Sequence, residues 1–350
     1  MAGQLNRRAA LGLGTVVAGG AVLGAAKAAG AVGGGAEPAA NAEPAATPPG
    51  VPKPALAWLD KVYRWQTALA GGTWNSYVSL TDETGVPQPA VVQDADTVVQ
   101  AYSVNKLAVA TALLDKVDRG LIALDQHVDV TAAIVIPDGD GIFRLDRAYP
   151  SSITVGHALA ALLTISDDTA VRLCGLVVPA AELNAIMVAK GFPHTQVVPV
   201  ANPNRFFLGT TTPRETHDLL RALVGGTLLS AASTDHLLSL IRSPIAFTDG
   251  IRRTMSSDER LRIGTKAGWF ADGRNEAGIM FDPSGAPVLT YSFFAHGQAH
   301  PEDFGATHPA VQARAVIGRR YLDAVDRLAG ISVATTRSYH APAYRPSNGG

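Results

Sequence analysis

Ser103 and Lys106 stand three residues apart in Ser103-Val104-Asn105-Lys106. That spacing puts both side chains on one face of a helix, and serine is favoured at a helix start. A serine hydroxyl is a weak nucleophile until a neighbour takes its proton. A lysine partly stripped of water beside other cations titrates low enough to do so. Alone, the motif reads equally well as a helix cap followed by a surface lysine. Two other short motifs could complete the chemistry. Ser166-Asp167-Asp168-Thr169-Ala170 falls at a break between helical stretches 158–164 and 170–176. By itself it reads as a helix cap. Lys266-Ala267-Gly268 ends a strand-like run and by itself is a strand lysine before a turn. The chain has a single S-x-x-K and a single K-x-G, in the order nucleophile, hydroxyl relay, distal cation.

The elements that must position these residues follow from periodicity. A helix is expected over 56–70, carrying Trp58, Leu59, Val62 and Trp65, then strands over 76–81 and 91–99 across a Gly- and Pro-bearing turn at 85–89. From Ser103 to about Leu223 the pattern is mainly helical, clearest over 104–117 and 155–178. Strands return over 261–265, 277–281 and 288–294, the last two joined by Asp282-Pro283-Ser284-Gly285, and a helix over 311–328 closes the pattern. An α+β fold is expected: an antiparallel sheet built from both ends of the chain, flanked by terminal helices, with an all-helical subdomain inserted.

With 350 residues, 47% of them hydrophobic and 17% charged, the chain suits a folded globular protein. A formal net charge of -1 gives no global field toward nucleic acid, and no nucleic-acid partner is expected. The lone Cys174 excludes an internal disulfide and reads as a buried small hydrophobe. The nine histidines are scattered without an H-x-H or H-E-x-x-H cluster, so neither a metal nor another cofactor is expected. His157 and His217 read as partly buried helical histidines. Asn6-Arg7-Arg8, a Gly- and Ala-rich run from Ala9 to Ala26, and Ala26-Lys27-Ala28 make residues 1–28 a signal peptide. The paired arginines are of twin-arginine type, so a secreted or cell-wall/periplasmic location without a stable membrane anchor is expected. Residues 29–54 read as a flexible Ala/Pro/Gly spacer and 331–350 as a loose tail. The body is 55–330, with 55–102 and 215–330 forming the α/β part and 103–214 the helical part.

These motifs resemble those of the class A β-lactamases and penicillin-binding proteins, which carry S-x-x-K, S-D-N and K-T-G. The stretches KLAVATALLDKVDRGLIALDQHV, TVGHALAALLTISDDTAVRL, GTTTPRETHDLLRAL and GTKAGWFADGRNEAGIMF carry the resemblance from about Leu56 to Leu328. It implies an exported serine hydrolase acting on a small-molecule or peptide substrate, a β-lactam or a related amide or ester. Ser103 is then the acylated nucleophile and Lys106 its proton acceptor. Ser166 relays a proton to the leaving nitrogen, beside the charge of Lys266. Backbone N–H groups of Ser103 and Trp269 make the oxyanion hole, each such donor supplying about 3 kcal/mol of transition-state stabilisation. Gly268 belongs to the same substrate-binding strand.

Three departures qualify the resemblance. Asn202, in Asn202-Pro203-Asn204, occupies the omega-loop position of the family's deacylating glutamate, and an amide is no general base. Glu182 comes too early in the chain, and Glu215 suits the first turn of a helix. Asp168 replaces an asparagine that donates to the substrate carbonyl, and it favours the charged form of Lys106 unless Lys266 or Arg274 offsets it. Ala267 lacks the hydroxyl that helps hold the substrate carboxylate. Along the alternating strand Thr265 is not expected to replace it, and Arg274 is the expected substitute. Weak deacylation follows. A D-alanyl-D-alanine peptidase-like enzyme and a non-catalytic binder of β-lactams or cell-wall peptides remain the other readings.

Overall fold

The computed structural model describes residues 43–329, 338–345, 347 and 349. The expected signal peptide, the first part of the spacer and half of the tail lie outside the described residues. Helix α1 (Pro52–Ala70) leads into β1 (Thr73–Thr81), β2 (Pro87–Gln93) and the two-residue β3 (Val99–Gln100). A 3-10 turn, Tyr102–Asn105, precedes α2 (Lys106–Asp118), β4 (His127–Val130), α3 (Phe143–Asp146) and β5 (Ser151–Thr154). Next come α4 (Val155–Thr164), α5 (Asp168–Val177), α6 (Ala180–Ala189), β6 (Gln196–Pro199) and β7 (Phe206–Thr211). The chain continues through α7 (Pro213–Val224), α8 (Ala231–Ile241), α9 (Ser257–Arg260), β8 (Ile263–Phe270), β9 (Gly273–Phe281), β10 (Pro287–His296) and α10 (Pro309–Leu328).

The main sheet is antiparallel in the order β2-β1-β10-β9-β8, so both ends of the chain build it. Pro87 and Pro89 both fall on its edge strand β2, where a missing N–H is tolerated. Helices α1 and α10 cover one face: Leu59 and Tyr63 of α1 and Tyr321 and Leu322 of α10 pack on Tyr291 and Phe293 of β10. A second core joins α2, α4, α5, α6 and α8 through Leu113, Leu159, Leu173, Leu183 and Leu238, and reaches the sheet at Ile279 and Phe294. Cys174 is buried there, and burial pushes its thiol up to about 12.

The expected architecture stands with corrections. The insertion is not all helix, for it also carries the ribbon β4-β5 and strands β6 and β7, which pair with β3 just before it in the small sheet β3-β7-β6. The expected strand 91–99 is displaced, because Asp94 takes φ 45° and ends β2 at Gln93. The spacer gives way to structure before Pro52: Trp58 Nε1 donates to Ala45 O (3.0 Å) and Arg320 Nη1 to Ala46 O (2.8 Å). Nor is the tail loose throughout. Tyr339 is 5% exposed, its hydroxyl donates to Val224 O (2.8 Å), and Arg242 Nη1 donates to Tyr339 O (2.8 Å). His157 is exposed, with Thr154 capping its helix, whereas His217 is fully buried.

Burial holds His217, His236 and His308 below the ordinary histidine value of 6.5. The unfolded chain therefore takes up these protons first. Stability is fully present above about pH 6.5 and falls as pH drops from there toward the lower folded-state values. Thermal melts from about pH 7 to pH 5 are expected to show a falling Tm, and His217→Gln is expected to make that fall shallower. A Tm that is flat or rises over this range contradicts the assignment.

Candidate active site

The 3-10 turn carrying Ser103 is clamped from both sides. Asn105 Nδ2 donates to Leu208 O (2.6 Å) and Thr210 O (2.8 Å) of β7, while Ala101 N donates to Gly209 O (2.9 Å). Asn275 Nδ2 of β9 donates to Gln100 O (2.9 Å). On the β8 side, Gly268 lies against the turn: a Cβ there would come within 2.6 Å of Ser103 N and 2.8 Å of Val104 N. Glycine in the third motif is thus a packing requirement of the nucleophile turn.

Ser166 sits between α4 and α5 at φ 57°, a left-handed conformation rare for serine. Asp167 caps α5 through Oδ1, which accepts from Ala170 N (2.9 Å). Its Oδ2 accepts from Ile142 N (2.7 Å) and Phe143 N (3.0 Å), fixing the loop that carries Asp140. Lys106 Nζ donates to Ser166 O (2.6 Å), Ser166 Oγ (3.1 Å) and Asp168 Oδ1 (2.8 Å). Lys266 Nζ donates to Ser166 Oγ (3.0 Å) and Ala267 O (2.8 Å). Three motifs far apart in sequence therefore meet on one hydroxyl. One expectation changes: Lys106, capable by spacing of approaching Ser103, is turned instead toward Ser166 and Asp168.

Both lysines are fully buried, and burial first of all lowers their pKa. The Asp168 carboxylate pulls Lys106 back up. Lys266 falls well below its ordinary value, with the charge of Lys106 beside it as the second cause. Ser103, Asp168 and Trp269 line a cavity of about 660 Å³, and Lys106 reaches it through Asp168.

The expected placements of Arg274 and Asn202 are not found, and Thr265 stays out of the site, as expected, for a different reason. Arg274 is 1% exposed and donates to Ala271 O (2.7 Å), Pro301 O (2.9 Å) and Asp303 O (2.8 Å), so it pins the loop after β10 and is not the substitute anion contact. Thr265 lies two residues before Ala267 and so on the same face of β8. What withholds its hydroxyl is Glu276, whose Oε1 accepts from it at 2.8 Å. Asn202 is exposed, and its Oδ1 accepts from Asn204 N (3.0 Å) within its own turn, between β6 and β7. The omega-loop position is therefore taken by a short hairpin connection, and residue 202 does not line the cavity. Accordingly Asn202→Glu is expected to change the lifetime of an acyl-enzyme by less than about twofold, against the 10²- to 10⁴-fold of a working general base. Adduct decay followed by mass spectrometry checks this.

The other acids near the loop are committed. Glu215 accepts from His194 N (3.0 Å) and Thr195 Oγ1 (2.7 Å), and Glu182 pairs with Lys116 (2.7 Å). Among the described residues no group of three or more His, Cys, Asp or Glu side chains is gathered to hold a metal ion. A Ser79-His217-Asp218 chain has nucleophile–base–acid connectivity, both links being 2.8 Å. Ser79 and His217 are each 1% exposed, so no substrate reaches that hydroxyl.

Sequence reasoning missed Asp140, Arg172 and Arg205, all of which line the cavity. Partial burial, then the adjacent Asp168, raises the Asp140 carboxyl above its ordinary value. Arg172 was within reach of sequence reasoning, since it lies four residues after Asp168 and shares its helix face.

Residues 65–325 match the model of a family described as the beta-lactamase enzyme family. The fold is similar to a beta-lactamase from Sphaerobacter thermophilus at 21% identity and TM-score 0.62, covering 76% of this chain and 96% of that one. For a beta-lactamase from Xanthomonas campestris the values are 22%, 0.63, 76% and 98%. For a PBP-A mutant solved as an acyl-enzyme complex with penicillin G they are 20%, 0.61, 79% and 99%. None of the curated proteins matches the chain.

Proposed function

The chain belongs to the beta-lactamase enzyme family and is a serine hydrolase, and from that premise we propose that Ser103 takes the acyl group of a β-lactam or related amide or ester and releases it slowly. The observation that carries this reading is the convergence of two buried lysines on Ser166 Oγ, next to a cavity that Ser103 lines. In the proposed reaction the Ser103 hydroxyl loses its proton to the lysine–Ser166 hub as Oγ adds to the carbonyl carbon. The N–H groups of Ser103 and Trp269 receive the oxyanion. Ser166 Oγ then passes a proton to the leaving nitrogen, and Lys106 or Lys266 returns one to Ser166. The strongly lowered pKa of Lys266 suits it to hold a neutral amine, whereas Asp168 partly offsets the lowering that burial imposes on Lys106.

Slow release follows from the acids. Asn202 offers an amide facing away, and Glu215 is bound to His194 and Thr195. Export through a twin-arginine signal at residues 1–28 completes the proposal, on sequence grounds alone. The Lys106–Asp168 pair is the feature that favours the non-catalytic binder as second reading, because it ties up one lysine. Intact-mass spectrometry after incubation with a penicillin separates them. A lasting single adduct mapped to Ser103 is expected. No adduct points to the binder. Rapid turnover that disappears in Asp140→Asn replaces slow release with an Asp140 base.

A further inference from the structure

The charges around the cavity do not balance evenly along its length. Near Ser103, the amines of Lys106 and Lys266 face the carboxyl groups of Asp168 and Asp140. One turn further along α5, Arg172 lines the cavity, and Arg205 from the β6–β7 connection lines it too. Neither guanidinium joins an ion pair among the described residues. Both are held in place by neutral carbonyls. Arg172 Nη1 donates to Ile134 O (3.0 Å) and, longer, Val135 O (3.4 Å), and Arg205 Nη2 donates to Ala133 O (2.9 Å). Both side chains are half-buried and close enough that the charge of Arg205 adds to burial in lowering the pKa of Arg172. Two adjacent cations fixed at a cavity wall with donors to spare match the planar geometry of a carboxylate. The same cavity also has an apolar lining: Phe207 and Phe270, 69% and 67% exposed, and Val200.

We infer that Arg172 and Arg205 form a subsite for a carboxylate on the acyl portion of the substrate, with Phe207 and Phe270 receiving an apolar or aromatic group next to it. The assignment to the acyl portion rests on the reading proposed above, in which Ser166 and Lys266 serve the leaving nitrogen. Arg172 lies beyond Asp168, about 6 Å along the helix axis from it and on the side away from Ser166.

Two matched probe pairs test this on the full mature chain. Benzylpenicillin and its α-carboxy derivative differ by one carboxylate on the acyl side chain. The derivative is expected to acylate Ser103 about tenfold faster, the size of one charge-assisted contact. Arg172→Gln and Arg205→Gln are each expected to cut that ratio to about twofold or less, while Arg205→Lys keeps part of it by keeping the charge. Phenylmalonate and phenylacetate, compared by NMR titration, ask the same question without acylation. Phenylmalonate is expected to bind about fivefold tighter or better, and to lose this advantage in Arg205→Gln. If neither penicillin forms an adduct, the Ser103 reading fails and the phenylmalonate titration still decides the subsite. Equal handling of both members of a pair overturns the inference, as does a preference that survives both arginine substitutions.

Discussion

Ser103→Ala is expected to lower acylation by penicillins and activated esters by about 10⁴- to 10⁶-fold, the range seen when a nucleophilic serine is removed from a hydrolase. The Ser103 side chain makes no hydrogen bond of its own in the resting site, while its backbone is held by β7, β8 and β9. The substitution thus removes the nucleophile and leaves the clamp around the turn. Melting temperature and penicillin binding are expected to stay close to wild type, so the loss belongs to chemistry and not to folding. Unchanged labelling by a fluorophosphonate, or mapping of the label to another serine, refutes the assignment.

The second large effect runs the other way. Asp168→Asn is expected to raise the acylation rate by about ten- to a hundredfold, the lower part of what a general base supplies. Two consequences act together. The carboxylate that most opposes burial disappears, leaving Asp140 and Asp167 to oppose it, so the Lys106 pKa falls further and its neutral form becomes more abundant. An amide also donates where a carboxylate only accepts, which gives the substrate carbonyl a partner. The pH profile carries the sign. A base with a lower pKa stays neutral at lower pH, so the acidic limb of the rate profile is expected to move toward acid. A faster rate with an unmoved limb assigns the gain to substrate capture alone. A slower rate shows that Asp168 serves the native ligand as an acceptor.

Much of this was legible in the residues. The three motifs could be placed because the S-x-x-K and the K-x-G each occur once and in order on either side of Ser166, and the helix break at Ser166 showed in the apolar periodicity on either side of it. What escaped depends on side-chain direction. Lys106 and Arg274 sit at positions suited to the roles assigned to them, yet Asp168 captures the first and the carbonyls after β10 capture the second. The loop at Asn202 misled for a related reason. Its resemblance to a Glu-Pro-Glu run is local, whereas the direction of residue 202 is set by a hairpin whose strands pair through Val198 and Phe207. Arg172 and Arg205 are far apart in sequence and meet only because both find carbonyls in 133–135. Tyr339 gave no periodic signal, since one residue anchors that segment.

Ser103, Lys106 and Ser166 ride on the helical core, whereas Lys266 belongs to a strand of the sheet whose other face rests on α1 and α10. The 3.0 Å contact between Lys266 and Ser166 therefore joins two elements of one compact unit that meet where Ile279 and Phe294 of the sheet enter the helical core. A shift of β8 against the α4–α5 break by a fraction of an ångström strains that contact while both cores stay closed to water. The enzyme is in effect a vernier: its chemistry reads the alignment of a strand against a helix break. Gentle warming or dilute denaturant can silence such a device while its spectroscopic signature of folded structure is still intact.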